Sequence, residues 1–197
     1  MKVISSHHIS NLNEGSDKLF SKWEIAAENL TFLDTKYMVY AYLFPEQRTP
    51  EIYNSLPEIF QKFGEISQEG GIQFAYHNHD FEFEKMNGEI IYDFLLKNTS
   101  DNLVKMELDL YWITKAGLDP VDYFKKYPGR FTLWHVKDMA AGTKDFVEVG
   151  SGIIDFQRIF ASQQVAGLKH WLVEQDETKR NIFESLKMSR DYIRKHF

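Results

Sequence analysis

The sequence predicts a parallel α/β fold, and three observations carry that reading. Short apolar or β-branched runs alternate with longer amphipathic ones along the chain. The carboxyl ends of the short runs, taken at His7, Leu43, His79, Asp109, Lys137 and Asp176, lie 36, 36, 30, 28 and 39 residues apart. Those ends are polar where the runs themselves are not. An interval of that size accommodates a strand, a crossover helix and two connections, which is what parallel strands require.

Taken in order, strands are expected over residues 2–6, 37–43, 72–77, 104–110, 131–136 and 170–174, each partly apolar and bounded by turn residues. Helices are expected over 16–32, 50–69, 90–96, 121–127, 156–162 and 180–196. The second is the clearest, because Ile52, Leu56, Ile59, Phe60, Phe63 and Ile66 recur at spacings of three and four and so share one face. Gly64, Gly70, Gly71, Gly117 and Gly167 are expected at helix ends or turns, and Asp119-Pro120 and Tyr127-Pro128-Gly129 are local stops. No linker or low-complexity segment interrupts the pattern, so one domain spanning 1–197 is expected.

Composition narrows the class. At 197 residues and 43% hydrophobic, the chain can bury a sizeable core. A net charge of −6 provides no general basic field for a polyanion, so no nucleic-acid partner is expected. No apolar stretch reaches the roughly 18 residues of a membrane span, and Met1 leads into a strand-like run rather than a basic segment and apolar signal core. The expectation is a cytoplasmic protein. The absence of cysteine excludes disulfides, thiolate ligands and a Cys nucleophile.

The polar strand ends point to chemistry. Alternation along a strand puts residues i and i+2 on one face, so His77 with His79, Glu107 with Asp109, His135 with Lys137, and Glu174 with Asp176 form four same-facing pairs. Parallel α/β folds bind ligands at the carboxyl ends of their strands, where all four pairs fall. Carboxylates and imidazoles converging there suit a divalent cation such as Mn, Mg, Co or Zn. Each residue also has a plainer reading. A single strand histidine is usually a satisfied core or surface group, and Glu107 with Asp109 could belong to an exposed edge strand. It is the series of four that argues for a site, because four such pairs are costly to bury without partners. Lys137 has two readings, an ion pair with Glu107 or Asp138 and a substrate contact. Trp112 and Trp134 read as packing residues before sugar platforms. His7 closes the first strand and either faces the pocket or does not. Val149-Gly150-Ser151-Gly152 lacks the lysine and third glycine of phosphate loops and reads as a tight turn. Residues 187–195 read as a solvated helix face.

Several strings resemble one family: Ala75-Tyr76-His77-Asn78-His79-Asp80-Phe81-Glu82-Phe83, Glu107-Leu108-Asp109-Leu110-Tyr111-Trp112, His135-Val136-Lys137-Asp138-Met139, the stretch from Glu148 to Phe156, and Val173-Glu174-Gln175-Asp176. They are similar to the sugar phosphate isomerase/epimerase family, whose fold is the xylose isomerase-like TIM barrel. The resemblance implies an incomplete (β/α)8-type barrel of about six βα units, matching the family's strands three to eight. A closed barrel needs eight strands and typically about 250 residues, so open edges are expected, with a homo-oligomer as one way of covering them.

The resemblance further implies a metal-dependent isomerase or epimerase acting on a sugar, sugar phosphate or cyclitol by proton transfer next to a carbonyl, through an enediolate held at the metal. It places the metal ligands at His77, Asp109, His135 and Glu174. It implies Glu174 and His77 as the catalytic proton-transfer groups, with His79 or Lys137 as alternatives to His77, and substrate contacts at His7, His79, Glu107, Trp112 and Lys137. Many family members carry glutamate where this chain has His77, which leaves one clear carboxylate base. That asymmetry suits a related dehydratase or an asymmetric isomerase. The alternative to an enzyme is an inactive barrel fragment that binds a carbohydrate or a partner chain.

Overall fold

The computed structural model describes residues 2–197, and the chain falls into two compact units, Met1–Glu107 and Leu108–Phe197. In the first, β1 (Ser5–His8) leads to α1 (Ser16–Thr31), β2 (Tyr37–Tyr40), a 3-10 turn at Pro45–Gln47, α2 (Pro50–Glu69), β3 (Gln73–His77) and a second 3-10 turn at Phe81–Phe83. A small hairpin of β4 (Lys85–Met86) and β5 (Glu89–Ile90), then α3 (Ile91–Asn98), precede β6 (Val104–Asp109), along which the chain passes into the second unit. The pairings are parallel and in step: Ser5 opposes Tyr37, Tyr37 opposes Gln73, and His77 opposes Glu107.

Local chemistry explains the boundaries. Thr49 caps α2 by accepting from the Ile52 N–H, Pro50 fits the first turn without needing a donor, and Gly70 with Gly71 ends the helix, the latter at φ +71°. Leu19, Trp23, Ala27 and Leu30 form the buried stripe of α1. Trp23 stacks on Phe63 of α2 at 4.0 Å and donates from Nε1 to the buried Ser67 Oγ at 3.0 Å, so this large ring is packed and its polar atom satisfied. Truncating such a residue typically costs about 3–5 kcal/mol.

The second unit continues with α4 (Leu110–Lys115), α5 (Pro120–Lys126), β7 (Leu133–Val136), β8 (Asp138–Met139), β9 (Phe146–Val147), α6 (Phe156–Ala161), α7 (Gln163–Ala166), β10 (His170–Val173) and α8 (Ile182–His196). β7 and β10 pair in parallel with His135 opposite Leu172, while β8 and β9 form an antiparallel hairpin. Aspartates or asparagine cap four helices here: Asp109, Asp119, Asp155 and Asn181 each accept backbone N–H bonds of the first turn. Trp134 is fully buried, stacked on Phe124 at 4.9 Å and edge-on to Phe160, which bears out its reading as a packing residue.

Six strands, β1, β2, β3, β6, β7 and β10, are each followed by a helix, in agreement with the expected six βα units. Several details differ from expectation, among them the short helices α4 and α7, which no expected helix covers. The first strand lies at Ser5–His8 rather than 2–6, because backbone pairing with β2 sets its register and the polar Ser-Ser-His-His sequence hides it. Gly64 does not end a helix. It lies inside α2, where a Cβ would come within 2.7 Å of the Leu103 carbonyl oxygen, so its lack of a side chain permits close packing. The two short hairpins were not expected, since two-residue strands have no period to read. No helix among the described residues is long and apolar enough to cross a membrane.

Candidate metal and substrate site

The first unit gathers imidazoles and aromatic rings at its strand ends. His7 at the end of β1 is hydrogen-bonded through Nε2 to Glu107 Oε2 at 2.6 Å, and its ring centroid lies 5.5 Å from that of His77 at the end of β3. Glu107 and His77 are buried, whereas the His7 side chain is about one-third exposed, at 37%. His79 follows with its centroid 4.9 Å from His77, stacked on Phe81 at 5.5 Å and edge-on to Tyr42 at 4.9 Å. His7 therefore does join the strand-end histidines. Glu107 is engaged by His7.

The second unit gathers charge. Asp109 uses Oδ1 to cap α4, accepting from the Tyr111 and Trp112 N–H groups at 2.8 and 3.0 Å. Fixing one oxygen in this way turns Oδ2 toward His135 Nδ1 at 3.9 Å and Lys137 Nζ at 3.3 Å. His135 Nδ1 also lies 2.8 Å from Glu174 Oε2, just beyond β10. Asp109, His135 and Glu174 each offer a donor atom within 4.8 Å of the others.

Lys137 corrects an expectation. Its ammonium pairs with Asp109, with Glu174 at 2.7 Å and with Asp176 at 2.8 Å, rather than with Glu107 or Asp138. The reason is alternation: Asp138 points the other way and serves backbone, accepting from Met139, Gly150, Gly152 and Ile154 N–H groups. Those bonds wrap the Val149-Gly150-Ser151-Gly152 turn around one buried carboxylate, which bears out its reading as a turn.

The electrostatics follow from this packing. Burial by itself would push the Glu174 carboxyl up, but the hydrogen bond and charge of His135, together with Lys137, hold it well below the usual carboxylate range. Burial would likewise lower the Lys137 ammonium, yet Asp109, Glu174 and Asp176 outweigh it and raise its affinity for its proton. Three carboxylates against one ammonium, −3 + 1 with His135 counted as the neutral imidazole that metal ligation requires, leave two negative charges in the cluster. A divalent ion neutralises that surplus, and the mixed nitrogen and oxygen donor set fits such an ion. Trp112 is half-buried against Tyr111 and Phe146, with Lys137 Nζ 5.7 Å above its ring.

Some neighbours of these clusters were not singled out from sequence. Asp176 carried a signal as the i+2 partner of Glu174. Glu82 and Phe81 lay within a quoted string without an assigned role, and Tyr42, Arg48 and Phe146 gave no signal, because their places depend on turns and on a short hairpin.

Comparison with known proteins agrees with this architecture. A sugar phosphate isomerase/epimerase from Parabacteroides distasonis is 31% identical, with a TM-score of 0.85 over 98% of this chain and 70% of its own. A zinc-bound IolI protein shares the fold at 19% identity, with a TM-score of 0.78 over 100% of this chain and 78% of its own. Among curated proteins, an inosose dehydratase from Lacticaseibacillus casei is 28% identical over 165 residues, covering 74% of this chain and 55% of the relative. The chain thus spans about half the length of the curated relatives it matches. No family model matches the sequence. With six parallel strand–helix units and these likenesses, the fold is that of an incomplete xylose isomerase-like (β/α)8 barrel, and the chain belongs to the sugar phosphate isomerase/epimerase family.

Proposed function

We propose that this chain moves a proton next to the carbonyl of a small sugar or cyclitol ketone, as a metal-dependent isomerase or epimerase. The observation that carries the reading is the second unit's cluster, in which Asp109, His135 and Glu174 bring donor atoms within 4.8 Å under a surplus of negative charge. Those three residues would hold a divalent ion, with His77 as the fourth ligand that the family resemblance implies. When bound, such an ion supplies Lewis acidity to the substrate oxygens, which makes the adjacent C–H more acidic.

The chain's own groups do the rest. Glu174 accepts the proton: its neighbours keep it ionised, so it is ready as a base, though a weak one that depends on an acidified substrate. Lys137 Nζ, 2.7 Å from Glu174, would exchange one of its three carboxylate partners for a substrate oxygen as charge develops there. Where Asp109, His135 and Glu174 alone hold the ion, His77 would return a proton on the side of the histidine cluster. His7, His79, Glu107 and Trp112 provide hydrogen bonds and ring surface for uncharged hydroxyls and ring carbons.

A dehydratase shares the same first step and then expels a hydroxyl. Two points favour keeping it as a second reading: the family resemblance puts His77 where many members would carry a second carboxylate, and curated relatives carry the name inosose dehydratase. Deuterium exchange from solvent into keto sugars and cyclitol ketones, with added Mn, Mg, Co or Zn, tests both. Exchange at the carbon beside the carbonyl is expected with the native chain and is expected to fall by about 10³-fold in Glu174→Gln, with folding retained. Undiminished exchange in that variant would remove Glu174 from its role, whereas loss of water from the substrate would select the dehydratase.

A further inference from the structure

We propose that Glu82 is the positioning residue of the first unit's histidine cluster, fixing the elbow after β3 through Tyr76 and the His79 backbone so that the His79 ring is held against Phe81. This rests on the reading of His79 as a substrate contact. Glu82 is wholly buried, and both of its oxygens are used: Tyr76 Oη donates to Oε1, and the His79 N–H donates to Oε2 at 2.8 Å. The carboxylate thereby ties Tyr76, near the end of β3, to the residue two positions beyond that end. A burial this complete is costly for a carboxyl group unless its bonds serve the fold or the site.

The ring it positions is clasped on several sides. His79 lies nearly parallel to Phe81, with 5° between the planes, and nearly perpendicular to Tyr42 and His77. On Phe81 rests the Arg48 guanidinium, 3.6 Å from the ring centroid, itself donating to the Leu43 carbonyl oxygen at 3.0 Å and to Tyr42 Oη at 2.7 Å. The elbow continues as the 3-10 turn, closed by Phe83 N–H to the Asp80 carbonyl at 3.1 Å. The hydrogen bonds of Glu82 go to the Tyr76 hydroxyl and the His79 backbone, not to an imidazole. Its influence passes through the backbone of His79 and the placement of Phe81, its chain neighbour, which defines a positioning residue rather than a catalytic one.

Glu82→Ala, Glu82→Gln and Tyr76→Phe test this in the full chain, the last removing one hydroxyl alone and so guarding against a variant that fails to fold. The first readout is the His79 ring-proton chemical shift, which stacking on Phe81 displaces from the free-imidazole position. It is expected to move toward the free value in Glu82→Ala and Tyr76→Phe and to be largely retained in Glu82→Gln, which keeps an acceptor for the His79 N–H. The second is a kinetic split on whichever ketone the native chain processes: KM raised about tenfold with kcat little changed, corresponding to one lost ordering contact. A role in stability alone would lower the melting temperature while leaving the His79 shift of the folded protein where it was, and that result overturns the proposal. Displaced His79 shifts in a chain that turns over no ketone would leave the positioning role standing and remove the enzymatic reading instead.

Discussion

The two units carry opposite chemistry at their strand ends. The strand ends of the first carry three imidazoles, His7, His77 and His79, among Tyr42 and Phe81, with Glu107 already bonded to His7. Those of the second carry Asp109, Glu174 and Asp176 around one ammonium and one imidazole. Rings with few formal charges recognise neutral hydroxyls and ring carbons, whereas a carboxylate surplus recognises a cation. The difference teaches that metal affinity should depend chiefly on the second unit, and substrate orientation chiefly on the first.

The largest effect should come from the carboxylate cluster. Asp109→Asn keeps the acceptor that caps α4 but puts an amide nitrogen in place of the oxygen turned toward His135 and Lys137, while Asp109→Ala also loses the cap, worth about 1 kcal/mol. Both, and His135→Ala, should weaken divalent-metal binding beyond the roughly 100-fold that loss of an outer partner can cost. Titration with elemental analysis measures this. His77→Ala should cost less, and the comparison breaks if His77→Ala abolishes metal binding while Asp109→Asn retains it.

A second effect concerns the counter-ion. Lys137 is 2% exposed and bridges Asp109, Glu174 and Asp176. Lys137→Met should destabilise the metal-free chain by about 3 kcal/mol, the lower end for a broken buried pair because Glu174 and Asp176 remain about one-third exposed. Added divalent metal should restore more stability to this variant than to the native chain, since it replaces a missing positive charge. Equal restoration of both, followed by thermal melting, would mean that the ammonium does not balance this cluster.

How much of this was legible in the sequence depends on the range of the interaction. α2 was read to the residue, Pro50–Glu69, because Thr49-Pro50 and Gly70-Gly71 mark its ends locally and its apolar stripe is regular. The candidate ligands were legible because each strand end announces itself by a polar cluster after an apolar run. The register of β1 was hidden, since Ser5-Ser6-His7-His8 has no apolar alternation and only β2 defines it. The partners of Lys137 were hidden too: Asp109 ends another strand and Glu174 follows one, and choosing among the nearby carboxylates required knowing that Asp138 faces backbone.

The smallest effect sharpens the first unit's side of the comparison. Burial pushes the Glu82 carboxyl up to about 7, against the opposing bonds from Tyr76 and His79, compared with 4.5 in an unfolded chain. Below pH 4.5 the group is neutral in both states and imposes no cost. As pH rises toward and through 7, the unfolded chain releases its proton more readily than the folded one, so stability falls. The loss is at most about 3 kcal/mol, from 7 − 4.5 = 2.5 pH units at 1.36 kcal/mol each. Glu82→Gln cannot titrate, so the difference in unfolding free energy between native chain and variant should shift in the variant's favour between pH 5 and 8. Denaturant unfolding across that range measures it. A difference independent of pH would mean that Glu82 ionises as easily in the fold as outside it, and that Tyr76 and the His79 N–H hold a full negative charge without strain.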